Sequence, residues 1–487
     1  MTNPTCGATA PGIPVPSTLQ SFSDISRLLI LNTDSYKTSH YLQYPSGTTK
    51  VFSYIESRGG LYEHTVFFGL QYILKEYFSK PVTAMDVTIA AEVCKAHGVP
   101  FHFDGWMHIV NVHRGRLPVR INAVPEGSVV PTHNVLLTVE NTDPACYWLT
   151  SFLETVLLRL WYPTTVATNT WMCKKLILKN LQQTGDESGI GFKLHDFGAR
   201  GVSSMESAMV GGMAHLVNFQ GTDTLTAVLG ARVFYNEPMA GFSIPAAEHS
   251  TITSWGKEGE ADAYRNMLSQ YAKPGALLAV VSDSYDLDHA VKKIWGEQLR
   301  KQVMESGATV VIRPDSGDPV TMVLNTVKAL DAAFGSDINA KGYRVLKHVR
   351  VIQGDGITVR SIRTILSNLQ FNGYSADNLA FGQGGALLQI VNRDDQCFAM
   401  KCSAVEVNGT WRDVFKDPVS DPQKRSKAGR LVLVRKADEF RTVREGDVSY
   451  TKAFADGYIP AMRIVFENGM LLVNDNLQTI RDRVNDS

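Results

Sequence analysis

The loop Gly382-Gln-Gly-Gly385 has the composition of an anion cradle. Glycines let the backbone approach a phosphate, and the helix-like Ala386-Leu-Leu-Gln-Ile-Val that follows would offer free N–H groups. A second glycine turn, Gly354-Asp355-Gly356, places Asp355 where its carboxylate can accept from sugar hydroxyls. In Arg313-Pro-Asp-Ser-Gly317 a rigid proline separates a cation from a carboxylate, which suits Asp315 to a sugar diol and Arg313 to an oxygen or a ring. His249 sits among hydroxyls in Ser243-Ile-Pro-Ala-Ala-Glu-His-Ser-Thr-Ile-Thr253, and Asp283 is placed to orient it and stabilise its charge. Asp223, in Gly221-Thr-Asp-Thr224, would accept from an amide and repel a carboxylate. Phe197 and Tyr36 are candidates to sandwich a flat ring. Lys416-Asp-Pro418 and the basic run Lys424-Arg-Ser-Lys427 with Arg430 would supply a phosphate rim. Each of these has a plainer counterpart: a tight turn, a salt-bridged loop, an aspartate-closed turn, core packing of a ring, or a solvated basic loop.

Five of these loops share one design. Each follows a short apolar strand: Phe192 into His195-Asp-Phe-Gly198, Leu277 into Ser282-Asp-Ser284, Val310 into Arg313-Pro-Asp315, Val349 into Gln353-Gly-Asp355, and Leu379 into Gly382-Gln-Gly384. Continuous apolar runs of this length are what parallel strands covered on both faces require. In α/β proteins ligands gather at the carboxyl ends of such strands. The five loops are therefore expected to share one rim and to hold a phosphorylated, hydroxyl-rich substrate.

The rest of the chain divides around this region. Residues 1–22 read as a flexible tail rich in Pro, Thr, Ser and Gly, without the basic start and apolar stretch of a secretory signal. Residues 23–180 alternate short strands and helices. Lys50–Glu56 has the alternation of a half-buried strand, 65–77 helical spacing, and 117–124 and 134–140 the look of paired strands. Asp143-Pro144 marks a helix start, followed by a long apolar helix through Trp148, Phe152 and Leu157 and another over 167–181. Residues 181–391 carry the βα units, and 392–487 return to strands and turns that pack back on the N-terminal region. The predicted fold class is α/β: an irregular barrel-like domain plus a discontinuous α+β domain with a largely antiparallel sheet.

Composition sets bounds. Lys and Arg number 48 and Asp and Glu 48, so the net charge is zero, which argues against a general nucleic-acid binder. No run reaches the length of a membrane span. The six cysteines are scattered without a CxxC, which fits reduced thiols in a cytoplasmic protein rather than a disulfide framework or a metal site.

Taken together, Asp34-Ser-Tyr-Lys37, Val166-Ala-Thr-Asn169, His195-Asp-Phe-Gly198, Arg200-Gly-Val-Ser-Ser204, Gly221-Thr-Asp-Thr224, Pro245 to Thr253, Ser282 to Asp286, Ile312 to Gly317, Gln353 to Gly356 and Phe415 to Pro418 resemble, in order, the nicotinamide phosphoribosyltransferase family of type II phosphoribosyltransferases. The resemblance runs from about Ile30 to the end. It implies phosphoribosyl transfer from phosphoribosyl pyrophosphate to nicotinamide in NAD salvage, with Mg2+ assisting and ATP phosphorylating an active-site histidine. It implies His249, Asp283 and Asp315 as catalytic residues. Phe197 and Tyr36 would clamp the ring, with Tyr36 from the second subunit of a homodimer. Asp223, with Ser243, would hold the carboxamide. Arg313, Gly354 and Asp355 would face the ribose. Gly384, Gly385 and Arg200 would cradle the 5′-phosphate, completed across the interface by Arg393 and Lys401, with Arg58 and Lys416 on the pyrophosphate or ATP. The chain itself is not implied to ligate a metal.

Four positions depart from the family pattern: Ala199 for a tyrosine, Ala279 and Ala399 for serines, and Ala386 for the last glycine of the cradle. None removes a proposed catalytic group. Three rival readings stand beside this one. The first is transfer to nicotinate, which Asp223 would repel. The second is a non-catalytic binding or signalling protein on the same scaffold. The third is an aldolase-type barrel, for which Lys193 is the one obvious Schiff-base candidate.

Overall fold

The computed structural model describes residues 19, 21–417 and 426–486. The predicted tail 1–22 therefore lies almost wholly outside the described residues, as do Lys424 and Arg425.

All five expected strand–loop units form, and they are neighbours in one parallel sheet. Its order is Gly221–Thr222, Leu194–Asp196, Leu379–Gln383, Val349–Gln353, Thr309–Arg313 and Leu277–Val281. The segment 242–247 bridges its two edges. Phe242 lies parallel to Gly221 and Ala246 parallel to Ala279. The Thr222 N–H donates to the Phe242 carbonyl at 3.0 Å and the Ala247 N–H to the Ala279 carbonyl at 2.9 Å. The sheet thus curls into a half-barrel, its two edges touched by this segment through single bridges. Alternation along the strands divides their side chains. Leu278, Val280, Val310, Ile312, Val351 and Phe381 face outward into a core shared with the surrounding helices. Ala279, Val311, Ile352 and Ala380 meet Ile244 and Phe197 in a separate small cluster.

The second sheet has seven strands in the order Thr410–Asp413, Ala399–Val407, Thr48–Glu56, Val135–Asn141, Val119–Ala123, Arg463–Glu467 and Met470–Leu471. Its described pairings are antiparallel, and strands from both chain ends interleave, as expected for a discontinuous unit. The helix Trp161–Thr184 links the two layers. Val166, Ala167 and Trp171 enter the core on this sheet, while Cys173, Ile177 and Leu181 enter the barrel core. We propose the predicted limits near 180 and 392 as the boundaries of the two units. The larger core also takes in Met213, Leu216, Ala227 and Tyr235 from helices of the barrel segment, so the units share packing.

Four local expectations are corrected. Strand Thr48–Glu56 is nearly all buried rather than half-buried, because both faces are covered: Ile55 enters the main core, while Phe52 and Tyr54 pack with Val135, Ala404 and Leu431. Residues 65–77 are a strand, His64–Val66, then Leu70–Ile73 and a π-turn Leu74–Phe78; Gly69 at φ 104° reverses the chain between strand and helix. The long apolar helix after Asp143 is two short ones, Leu149–Phe152 and Glu154–Leu158. The stretch after Gly384 is a five-residue π-turn, Gly385–Gln389, rather than a regular helix. Asp143 does cap its turn, accepting from the Ala145 N–H at 2.9 Å with Pro144 in the first position.

Candidate active site

His249 opens the short helix His249–Thr253, just after the segment that bridges the two edges of the parallel sheet. Its Nε2 lies 3.0 Å from Asp283 Oδ1, and its Nδ1 lies 4.0 Å from Asp315 Oδ2. Asp283 follows strand Leu277–Val281 and Asp315 follows Thr309–Arg313, so neighbouring strand ends aim both carboxylates at one imidazole. The Asp283 side chain is only 4% exposed while the imidazole is 46% exposed, which buries the orienting group and leaves the ring open to a ligand. Burial alone would raise the Asp283 carboxyl. The Ser316 hydroxyl, the His249 ring and the Asp315 N–H outweigh it and hold the group below the usual carboxylate range. Asp283 is thus an anion that accepts three hydrogen bonds.

The rim continues strand by strand. Asp315 Oδ1 is 3.7 Å from Arg313 Nε, a buried donor with no hydrogen-bond partner among the described residues. Such a donor is costly unless a ligand completes it. At Gly354 a β-carbon would stand 3.1 Å from Asp315 Oδ1 and 3.5 Å from the Phe197 ring, so the glycine lets carboxylate and ring share one corner. At Gly382 a β-carbon would come within 1.9 Å of Phe197 Cε2. Only a bare backbone there lets the ring lie flat over the strand. A β-carbon at Gly384 would lie 3.4 Å from the Phe197 carbonyl oxygen. The turn Ala199–Gly201, which carries exposed Arg200, packs on the Gly385–Gln389 turn through Gly198 against Leu388 and Gly201 against Gln389. Asp355 is exposed at the tip of its loop. Just past Gly221–Thr222, the strand paired with Leu194–Asp196, Asp223 Oδ1 accepts from the Ser243 hydroxyl at 2.5 Å. One mouth therefore gathers His249, Asp283, Asp315, Arg313, Gly354, Asp355, Phe197, Arg200, Gly384, Gly385, Asp223 and Ser243.

The remaining candidates lie outside the barrel strands: Lys401 in the antiparallel sheet, Arg58 and Lys416 just past its strands, and Tyr36 and Arg393 on short turns. Lys401 stands opposite Tyr54 in the strand pair, and Arg58 Nε donates to Glu56 Oε1 at 2.9 Å. Burial depresses the Lys401 ammonium, and the cations Arg58, Lys416 and Lys37 depress it further against the pull of Glu154. Arg58 Nη2 is a buried donor without a partner among the described residues. Tyr36 is 60% exposed and edge-on to His40 at 5.1 Å. Arg393 is exposed on the turn Arg393–Asp395. Among the described residues no hydrogen bond or ion pair joins this group to the barrel mouth.

Two groups escaped sequence reasoning: Ser316 donates to Asp283 at 2.6 Å, and Lys37 is buried with its Nζ 2.7 Å from Glu154. Lys427, expected on a phosphate rim, pairs with Glu56. Ser316 and Lys37 lie inside the quoted strings, one residue from the candidates Asp315 and Tyr36, so proximity was the available signal. Lys193 is resolved against a Schiff-base role at the mouth. It precedes its strand, and its ammonium donates to the carbonyls of Ala376, Asp377 and Leu379 at 3.1–3.2 Å, at the amino end of the barrel. The described cysteines, Cys94, Cys146, Cys173, Cys397 and Cys402, are free thiols.

Comparison with known proteins gives a consistent picture. Residues 192–458 match the nicotinate phosphoribosyltransferase (NAPRTase) family, and residues 28–121 match the nicotinamide phosphoribosyltransferase N-terminal domain. The nicotinamide phosphoribosyltransferase of Xanthomonas campestris pv. campestris (strain 8004) is 58% identical over 457 residues, 93% of this chain and 97% of that one. The enzyme of that name from Acinetobacter baylyi is 31% identical, over 93% and 96%. In fold, the chain is similar to nicotinate-nucleotide pyrophosphorylase from Pyrococcus furiosus, with TM-score 0.61 at 16% identity over 97% and 98% of the two chains. It is also similar to human nicotinic acid phosphoribosyltransferase, with TM-score 0.53 at 17% identity over 93% of each. With the barrel, its loaded rim and these likenesses together, the chain belongs to the nicotinamide phosphoribosyltransferase family.

Proposed function

We propose that this chain transfers the phosphoribosyl group of phosphoribosyl pyrophosphate to the ring nitrogen of nicotinamide, releasing pyrophosphate, as a homodimer whose sites are completed across the interface. The observation that carries the reading is the unbroken band from His249 through Asp283, Asp315 and Gly354 to Phe197 and Gly384. Phe197 stacks on the nicotinamide ring, and Asp223 accepts from the carboxamide. Asp315, Gly354 and Asp355 face the ribose. Gly384, Gly385 and Arg200 hold the 5′-phosphate. The oxocarbenium-like charge at the ribose carbon is stabilised by the carboxylates beside it.

The dimer reading rests on the separation of the two residue groups. Lys401 lies in the antiparallel sheet, Arg58 and Lys416 just beyond its strands, and Tyr36 and Arg393 on short turns outside the barrel; Tyr36, Arg393 and Lys416 are exposed and Arg58 keeps an unused donor, so a partner's barrel mouth would use them. Asp315 and exposed Asp355 fit a Mg2+ carried in on the pyrophosphate, since that ion is usually held by one or two carboxylates plus phosphates and water. When bound it neutralises leaving-group charge.

His249 is the phosphate acceptor from ATP in this reading. Asp283 engages Nε2, which leaves Nδ1 with its lone pair exposed at the mouth. Free thiols and the absence of a membrane-crossing helix among the described residues fit a cytoplasmic setting. The deciding experiment incubates the chain with phosphoribosyl pyrophosphate, Mg2+ and either nicotinamide or nicotinate, with and without ATP, and reads products by mass. Nicotinamide mononucleotide, formed faster with ATP, is expected. Product from nicotinate alone would overturn the assignment of substrate.

A further inference from the structure

We propose a structural site for a zinc-class divalent cation formed by His108, His113, Asp143 and Cys146, on the antiparallel-sheet unit and independent of the barrel mouth. His108 and His113 lie on the helix Phe103–His113, and Asp143 and Cys146 bracket the turn that follows strand Val135–Asn141. Both imidazole Nε2 atoms converge on the same oxygen, Asp143 Oδ2, at 2.8 and 2.6 Å. One donor atom from each of the four residues lies within 4.8 Å of all the others. The other carboxylate oxygen is engaged by the Ala145 N–H, which fixes the direction in which Oδ2 points.

Cys146 supplies the second observation. Its thiol is fully buried at the margin of the main apolar core, makes no hydrogen bond among the described residues, and has its sulfur beside the three polar donors. A lone His–Asp–His hydrogen-bond network has no use for a sulfur at that point. A tetrahedral cation does, because two imidazoles, a carboxylate and a thiolate are all established zinc donors. Bonds of about 2.0–2.3 Å would set the donors about 3.3–3.8 Å apart. The two nitrogen–oxygen spacings are shorter than this and no pair exceeds 4.8 Å, so shifts of about 1 Å or less would bring the four donors into place. Thiolate and carboxylate together neutralise a divalent ion, so the core around Cys146 gains no net charge. The two waist-exposed imidazoles leave a path for the ion from solvent, their side chains being 33% and 25% exposed. The site would pin the end of the helix Phe103–His113 to the sheet.

The test uses the full chain. Zn2+ is titrated against a chromophoric chelator, and Co2+ is used as an optical probe. One equivalent bound at sub-micromolar affinity is expected, with Co2+ giving the intense visible bands of four-coordination and a near-ultraviolet sulfur-to-metal band. Cys146→Ser should remove the sulfur band and weaken zinc at least about tenfold. His108→Gln with His113→Gln should abolish binding while leaving phosphoribosyl transfer within about twofold, because neither histidine is bonded to a residue assigned to substrate. Thermal unfolding of each variant without metal checks that it folds. Failure to bind zinc at about 10 µM, or binding unchanged in the double histidine variant, would overturn the proposal. A cobalt complex lacking the sulfur band would overturn the role of Cys146.

Discussion

Replacing Asp283 by Asn tests the histidine machinery more sharply than removing His249, because it keeps the shape and changes one proton. In the native site Asp283 accepts from His249 Nε2 at 3.0 Å, the Asp315 N–H at 2.9 Å and the Ser316 hydroxyl at 2.6 Å. An asparagine has a single carbonyl oxygen. Two fixed donors, Asp315 N–H and Ser316 Oγ, share Oδ2, so the carbonyl takes that side and the amide NH2 turns toward the imidazole. Nε2 must then accept, the ring proton moves to Nδ1, and the atom that attacks the ATP γ-phosphorus loses its lone pair. A hydrogen bond to a charged group is worth about 1.5–3 kcal/mol. Inverting that preference leaves about 10- to 150-fold less of the nucleophilic tautomer. Loss of the anion beside the phosphorylated, cationic ring adds to this, and Asp-to-Asn changes behind catalytic histidines reach about 10⁴-fold. Phosphohistidine formation, followed with γ-labelled ATP and quenched in base, should slow by about 10²- to 10⁴-fold. ATP-independent phosphoribosyl transfer should fall by less than about tenfold, since the amide still holds Asp315 in place. Equal losses in both reactions would mean that Asp283 only supports the fold of the rim, and an unchanged phosphorylation rate would refute the tautomer argument.

His249→Ala should abolish ATP hydrolysis and the ATP stimulation while a weak basal transfer survives; identical kinetics with and without ATP in the parent would remove the basis for the assignment. Asp223→Ser should lower the nicotinamide-to-nicotinate ratio of kcat/KM by at least about tenfold, because like charges about 4 Å apart cost of order 4 kcal/mol near a protein surface; a ratio that does not move would detach Asp223 from the amide. Gly382→Ala should raise the KM for nicotinamide by about tenfold or more with the fold intact, since its methyl must push the Phe197 ring aside; an unchanged KM would mean that the ring is not the stacking face. Glu126→Gln addresses stability rather than chemistry. Burial pushes the Glu126 carboxyl from 4.5 up to about 7 despite the 2.6 Å bond it accepts from the Gln71 N–H. Between those values the folded chain holds a proton that the unfolded chain has released, so stability falls as pH rises and stays lower above pH 7. The variant should match its parent near pH 4.5 and exceed it by about 3 kcal/mol at pH 8 in denaturant unfolding; parallel pH profiles would show that the native carboxyl titrates normally.

What the sequence disclosed, and what it withheld, follows from the range of the interactions involved. The five strand–loop units were legible because a strand buried on both faces has to be apolar throughout, and the residues at its end are then forced to the rim. Asp283 and Asp315 could be placed on a common rim by that rule alone, without knowledge of which strands pair; His249, after the Pro245 segment, could not. The barrel-like curl was legible, but the segment that joins its edges was not. The join depends on two single bridges made by a segment containing Pro245, and a proline cannot sustain the ladder that would give a strand its usual signature. The π-turns at 74–78 and 385–389 escaped because their apolar spacing is helical, and spacing does not distinguish a π-turn from a regular helix. The segregation of Lys401, Arg58 and Tyr36 from the barrel was invisible to spacing, because it is set by which sheet the chain ends join. The same long-range pairing brings His108 and His113 to Asp143 and Cys146 across some thirty residues of intervening strand and turn. A pattern search tuned to short ligand spacings passes over that constellation, and a scattered cysteine count reads it as an inert thiol. The inference to carry forward is that local periodicity locates the rim of this fold, whereas sites assembled between elements have to be sought where buried polar atoms lack partners.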